Sequence, residues 1–405
     1  MYTRRQAMKG MVKVKLYKSA KEPEIYHYIN AKEEKLWMFR HKYYDSNGKR
    51  KEKKKSGFTS EKAALKALLE VKASTLRGET KLIENDNLTV TQWLDIWFES
   101  NKQKWKLATI TQREIILRLN IKPLIGHYKL QKLDRLTYQK SLINALEEKY
   151  EPSSIRLIHS IFLIAINAAV DEEIVLRNKF RGVSLPSTRN KEKEITVLTS
   201  DQLSTMLAYT KEHEDETYYS ILLLLSFTGM RKGEALGLQW GDIDFEAQTI
   251  SINRNRTKFG TGTTKTKNSE RKIKVGKNVI EQLNSYQKVI KEKLLTFGKK
   301  LEDKIFVFHS LESMIPMPLT TLHKGFKRIV QRAGLKECTI HSLRHSHATI
   351  LMNDGVPVKA IAERLGNTPE MIHTTYGHVL REMEDKIIDT FDRAIEIGAK
   401  NGANL

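Results

Sequence analysis

The chain has 405 residues and one cysteine, Cys338, so neither an intramolecular disulfide nor a cysteine-based metal site is open to it. Lys and Arg number 70 against 48 Asp and Glu, a formal charge of +22. That favours a polyanionic partner, nucleic acid ahead of an anionic membrane. The longest aliphatic run, Ile221–Leu225, is too short to span a bilayer, and no apolar segment follows Arg4, Arg5 and Lys9 as in a signal peptide. A cytoplasmic protein with no membrane role is expected.

The charge is concentrated at the start. Residues 1–82 hold 22 Lys/Arg and 9 Asp/Glu, a net +13. The same stretch carries Tyr26, Tyr28, Trp37, Phe39, Tyr43, Tyr44 and Phe58, and disordered tails are poor in aromatics. A folded basic domain over 1–82 is therefore expected. EIYHYIN and KLWMFRHKYY alternate as strands, Asn47-Gly48 marks a hairpin turn, and the basic strand KRKEKKKSGF follows. Thr59 or Ser60 caps a helix with Ala64, Leu65, Leu68 and Val71 on one face. The lysines from Lys49 to Lys55 read as a DNA contact, against the plainer reading of a guarded sheet edge.

The polar stretch 77–87 reads as a linker, and Thr89 with Gln92 forms a capping box at the next helix. From there to about 175 the apolar period is helical, punctuated by Pro123, Gly126 and Pro152. This predicts an all-α domain of four helices over 83–180. Residues 181–197 lack an apolar period and read as a second linker. The final domain, 198–405, is expected to be mainly helical. It holds a small antiparallel sheet around DIDFEAQTISINRN and a hairpin through TGTTKTKNSERKIKV. The fold class is thus α+β multidomain: a three-stranded sheet plus helix, an all-α domain, and a mainly α domain with a small sheet.

The last domain carries three cations, an imidazole and a phenol, the parts needed to cut a phosphodiester without metal: Arg231, Lys265, His341, Arg344 and Tyr376. A phenol can attack phosphorus, guanidinium forks can hold two non-bridging oxygens, and an imidazole and an ammonium can move protons. His341 and Arg344, three apart at a helix start, share a face. Glu234, three after Arg231, is placed to orient it. Periodicity does not separate Lys265 from Lys267, because in a strand both face one side. His345 and His347 read as packing or surface residues on other faces. The His341/His345 spacing suits zinc, but no Glu follows His341 in the metalloprotease pattern. No metal and no cofactor are expected, and no P-loop motif is present.

In TGMRKGEALGLQW, KTKNSERKI, HSLRHSHAT and LGNTPEMIHTTYGH the chain resembles the tyrosine recombinases, and among them the integrases of temperate phages and other integrating elements. The resemblance implies an arm-binding domain, a core-binding domain that clamps the opposite face of the DNA, and a catalytic domain. It implies Tyr376 as nucleophile forming a 3′-phosphotyrosine, with Arg231 and Arg344 as phosphate clamps. His341 would assist the proton transfer at the tyrosine. Lys265, favoured over Lys267 by the KTxxSxR run, would protonate the leaving 5′ oxygen. The position after Leu365-Gly366 is usually His or Trp in that family. Here it is Asn367, which can donate a hydrogen bond but carries no proton. His378 matches the family's Y-x-H ending and receives no role. Implied partners are double-stranded attachment sites of arm and core type, three further copies in a tetramer, an excisionase and a DNA-bending host protein. The amphipathic stretch 379–397 would pack on its own domain or, as the resemblance implies, dock on a neighbouring protomer. A type IB topoisomerase and a non-catalytic DNA-binding regulator are the rival readings.

Overall fold

The structure, a computed structural model, describes residues 15–187, 196–263 and 270–382. Lys265, Lys267 and the tail beyond 382 lie outside the described residues. The chain separates into two compact units, Met1–Lys191 and Glu192–Leu405.

The first unit begins with an antiparallel sheet of β1 (Tyr17–Lys18), β2 (Ile25–Ile29), β3 (Lys35–Tyr44) and β4 (Arg50–Phe58), in that order. The sequence predicted three strands; β1 is too short for alternation to reveal. The β3–β4 hairpin turns over residues 45–49, where the Asp45 carboxylate accepts from the N–H groups of Asn47 and Lys49. Helix α1 (Glu61–Leu76) is capped by Ser60 and packs Ala64 and Leu68 against Ile25 and Phe39. Strand alternation then sorts the side chains. Trp37, Phe39, His41, Tyr43, Lys51, Lys53 and Lys55 share the helix-covered face, while Tyr26, Tyr28, Met38, Arg40, Lys42, Tyr44, Arg50 and Lys54 share the opposite one.

Part of the expected linker 77–87 is helical. It holds α2 (Thr80–Glu84), a turn too short to show an apolar period. Lys51 pairs with Glu84 at 2.6 Å, and Lys53 bonds the Ile83 carbonyl at 2.6 Å and also pairs with Asp86. Two of the lysines read as DNA contacts are thus engaged with this segment.

Helix α3 (Val90–Asn101) starts at the Thr89/Gln92 capping box. Helices α4 (Leu107–Ile116) and α5 (Lys122–Ile125) run on through a wider π turn at Leu117–Ile121. Pro123 accounts for that turn, since its ring displaces the carbonyl four residues before it. Helices α6 (Arg135–Tyr138) and α7 (Ala145–Glu147) flank a second such turn at Gln139–Asn144, and α8 (Pro152–Asp171) completes the layer. Among the described residues α8 is long and apolar enough to cross a membrane, although its polar interruptions leave no long unbroken aliphatic run. Its Ile155, Ile158, Phe162, Ala165 and Ile166 instead fill the helical core with Trp93, Trp97 and Tyr138.

In the second unit, α9 (Ser200–His213) starts at a Thr199/Gln202 capping box, and α10 (Glu216–Thr228) is capped by Asp215. Buried on almost every side, α10 packs on α9 and on three later helices. Next come α11 (Lys232–Leu236), β5 (Ile243–Asp244), β6 (Thr249–Ile252), β7 (Arg254–Thr257), β8 (Gly260–Thr263) and β9 (Arg271–Lys274). They make a three-stranded sheet, β5-β6-β9, and a separate β7-β8 ladder. Helices α12 (Lys277–Thr296), α13 (Leu319–Arg332), α14 (Ile340–Asn353), α15 (Val358–Leu365) and α16 (Pro369–Glu382) follow. The main core gathers Ile221, Leu222, Leu225, Leu283, Tyr286, Phe308 and Phe326. A smaller cluster of Met352, Ile361, Leu365, Ile372 and Tyr376 joins the last three helices.

Candidate active site

Two helix C-termini build the site. Helix α10 ends at Gly229 with φ 64°, and α15 ends at Gly366 with φ 66°, both left-handed. A Cβ at Gly229 would also lie 2.5 Å from Leu365 Cδ2 and 2.8 Å from His347 Cδ2, so glycine is required there on two counts. Each end leaves carbonyls without helical partners and a partial negative charge. Arg344 answers both. It donates from Nη1 to the Gly229 carbonyl at 2.7 Å and from Nη2 to the Leu365 carbonyl at 2.8 Å. The residue is 3% exposed. Burial first, then the Arg231 charge, pushes its pKa down to about 9, so it remains charged at neutral pH.

Arg231 is the residue before α11 and is held from two sides. Its Nη1 donates to Glu234 Oε1 at 2.8 Å, and its Nη2 donates to Asn367 Oδ1 at 2.7 Å and to the Gly366 carbonyl at 3.3 Å. Glu234 also accepts from the Arg231 N–H at 3.0 Å and from Arg271 Nη2 at 3.0 Å. Burial opposes the Glu234 charge, but the hydrogen bond and charge of Arg271 and the hydrogen bonds from Arg231 outweigh it and hold the carboxyl below its usual range. Arg271 donates in turn to the Arg364 carbonyl at 2.7 Å. Asn367 thus presents its oxygen to Arg231, which leaves its NH2 group as a donor.

Tyr376, on α16, is 3% exposed and packs in the small cluster. Its hydroxyl meets His345 Nδ1 at 2.7 Å. His341 is one turn before His345, its ring edge-to-face at 4.6 Å. Partial desolvation, then the charges of Arg344, Arg231 and Lys232, lowers the His341 pKa. Burial, then His341 and Arg344, brings that of His345 to about 4, and burial pushes the Tyr376 phenol up to about 12 against the pull of Arg344. Beside Arg231 and His341 opens a cleft of about 770 Å³ whose lining includes Lys232, Arg256, Lys258 and Lys324 and no carboxylate. Among the described residues no group of three or more His, Cys, Asp or Glu is placed to hold a metal.

A model of the phage integrase family matches residues 196–383, one of an arm DNA-binding domain matches 26–75, and one of the N-terminal SAM-like domain of phage integrases matches 89–146. The chain is 30% identical over 221 residues to tyrosine recombinase XerC of Pediococcus pentosaceus, covering 53% of this chain and 67% of that protein. A tyrosine recombinase XerC-like protein of Caldanaerobacter subterraneus subsp. tengcongensis is 28% identical over 375 residues, 86% of this chain and 93% of that one. The chain belongs to the tyrosine recombinase family. It is a site-specific DNA recombinase. Its fold matches the Tn1549 transposon integrase solved with transposon right-end DNA, with a TM-score of 0.61, 22% identity, and 74% of this chain and 99% of that chain covered.

The structure of the recombinase brings Arg231, Arg344, Asn367 and Tyr376 around the two helix ends, with His341 at the rim. Two contributors were missed in the sequence. Arg271 closes the KTxxSxR run, of which only the lysine had drawn notice. His345 had been placed on another face from His341, yet four residues apart is the same face of a helix. His347 accepts from Arg364 Nε at 3.1 Å and meets the Ser226 carbonyl at 3.0 Å, so it ties α14 to its neighbours.

Proposed function

We propose that the recombinase cuts one DNA strand by attack of Tyr376 on phosphorus and forms a 3′-phosphotyrosine that a partner strand's 5′ hydroxyl resolves. What supports this most is the convergence of Arg231, Arg344 and Asn367 within one carbonyl-anchored cluster beside the buried tyrosine. The guanidinium forks hold the non-bridging oxygens, and the Asn367 amide donates to one of them. His341 lines the phosphate cleft and assists proton movement, and Lys265 protonates the leaving 5′ oxygen. The bond energy is kept in the phosphotyrosine, so the reaction draws on neither metal nor ATP.

The reading includes three working parts: an arm-binding domain over 1–82, a core-binding domain over 83–180 and a catalytic domain over 198–405. The arm, SAM-like and integrase matches support it. Four protomers would act on paired attachment sites to integrate and excise a mobile element, with an excisionase and a DNA-bending protein as accessory partners. A suicide duplex nicked near the cleavage site tests the chemistry. Wild-type protein is expected to give a covalent adduct in EDTA, and Tyr376→Phe none while binding DNA normally. Adduct in Tyr376→Phe, or cleavage that needs metal, would refute the mechanism. Relaxation of supercoils without recombinant joints from two attachment sites would point to a topoisomerase instead.

A further inference from the structure

We propose that His345 is the proton acceptor for the nucleophile. The inference rests on Tyr376 being the attacking residue. The group in contact with its hydroxyl is the His345 ring, with Nδ1 at 2.7 Å, inside the reach a general base needs. Tyr376 is 3% exposed, so bulk water has little access to the phenol. The ring is fixed by edge contacts with His341 at 4.6 Å and with Tyr376 at 5.6 Å.

In this arrangement both partners are neutral. The phenol donates to Nδ1, and the imidazole proton sits on Nε2. As Oη closes on phosphorus its proton becomes acidic, and the acceptor is already in place. The Oη–P bond forms, the P–O5′ bond breaks, the phenolic proton passes to Nδ1, and the 5′ oxygen takes a proton from a separate donor. On rejoining, the 5′ hydroxyl gives its proton back to that separate donor as it attacks, Oη leaves and His345 returns the phenolic proton to it. The charged and titratable groups around the ring are His341 and Arg344 on its own helix and Tyr376 on α16. Both groups on α14 discourage an imidazolium in the free protein. A bound phosphodiester adds a negative charge at Arg344 and relieves that opposition, so the base gains strength when DNA is present.

Single-turnover adduct formation separates this role from plain packing. His345→Asn keeps a hydrogen-bond acceptor near the Nδ1 position but takes no proton. With DNA binding intact by gel shift and a normal thermal melt, its adduct rate is expected to fall roughly 10²-fold. The acid limb of the rate profile, which reports this imidazole in the DNA complex, should vanish with it. A substrate with sulfur as the bridging 5′ atom, which leaves without a proton, should rescue Lys265→Ala and not His345→Asn. A fluorotyrosine at position 376 that ionises near neutral pH should restore His345→Asn and change the protein with native His345 only a few-fold, a measurement that holds even if the Asn variant folds poorly. Wild-type rate and pH limb in His345→Asn, rescue of that variant by sulfur, or a large gain from fluorotyrosine beside native His345 would each overturn the proposal. Adduct formation in Tyr376→Phe would instead count against the nucleophile and not against His345.

Discussion

The recombinase holds its cations in two different ways. In the N-terminal sheet, Arg40, Lys51, Lys53 and Lys54 meet carboxylates of Glu52, Glu84 and Asp86 near the surface. In the catalytic unit, Arg344 is buried against two backbone carbonyls, and Arg231 shares Glu234 with Arg271. Surface pairs are screened by salt and exchange partners at little cost. A guanidinium bonded to helix ends cannot reorganise without exposing orphan carbonyls. Tight DNA binding needs many modest phosphate contacts. Strand transfer needs a few charges held at fixed positions before the phosphate arrives.

The sharpest way to break the contrast is Arg344→Lys. An ammonium keeps the charge but cannot span the Gly229 and Leu365 carbonyls with a planar fork. Adduct formation should fall by roughly 10² to 10³ or more, the cost of losing one aligned donor set. Unfolding should become easier by about 1–3 kcal/mol, because a buried acceptor is left without its partner. A near-normal rate in a single-turnover assay would mean that charge alone suffices at this position.

Glu234→Gln probes the second anchor. Removing one partner of a buried pair should cost about 3 kcal/mol of stability in denaturant melts, with a smaller loss of rate because Asn367 still orients Arg231. The pH dependence has a definite sign. The folded pKa of Glu234 lies below its ordinary 4.5, so its contribution is complete above that value and is lost as pH falls through the depressed folded one. The stability gap between wild type and Glu234→Gln should therefore stay constant above pH 4.5 and close in stronger acid. A gap that widens on acidification would show that the carboxyl is not held ionised by its arginines.

Much of this site was legible in the sequence, for physical reasons that can be named. Arg231 follows an apolar helix at a glycine break, His341 and Arg344 share one helical turn, and Tyr376 ends a polar stretch after Leu365-Gly366. Local spacing carries all of that. The His345 contact bridges 31 positions, and the Arg344–Gly229 bond bridges 115. No periodicity announces such pairs. The same limit applied to the basic strand, where composition marked a run of lysines but not which of them face the helix and α2. For Lys265 and the tail 379–397 the sequence remains the guide, since Lys265, the side chains beyond Tyr376 and the backbone after 382 fall outside the described residues.

The smallest expected effect concerns those lysines and separates the two sheet faces. Lys42, Arg50 and Lys54 lie with Tyr26, Tyr28 and Tyr44 on the face opposite α1, a mixture of cations and aromatic rings suited to a phosphate backbone. Lys51 and Lys53 lie on the covered face and bind the α2 segment. Removing one phosphate-binding cation should flatten the dependence of log K on log salt by about 1. A triple change of Lys42, Arg50 and Lys54 to Ala should thus reduce the slope for arm-site DNA by about 3 while cleavage of a short core site persists. Changing Lys51 and Lys53 to Ala should leave that slope unchanged and lower the melting temperature slightly, because those ammonium groups lie on the helix-covered face and hold the α2 segment. If instead the Lys51/Lys53 pair flattens the slope and the triple variant does not, the DNA lies along the other face, and the α2 segment must release its lysines before the arm site can bind.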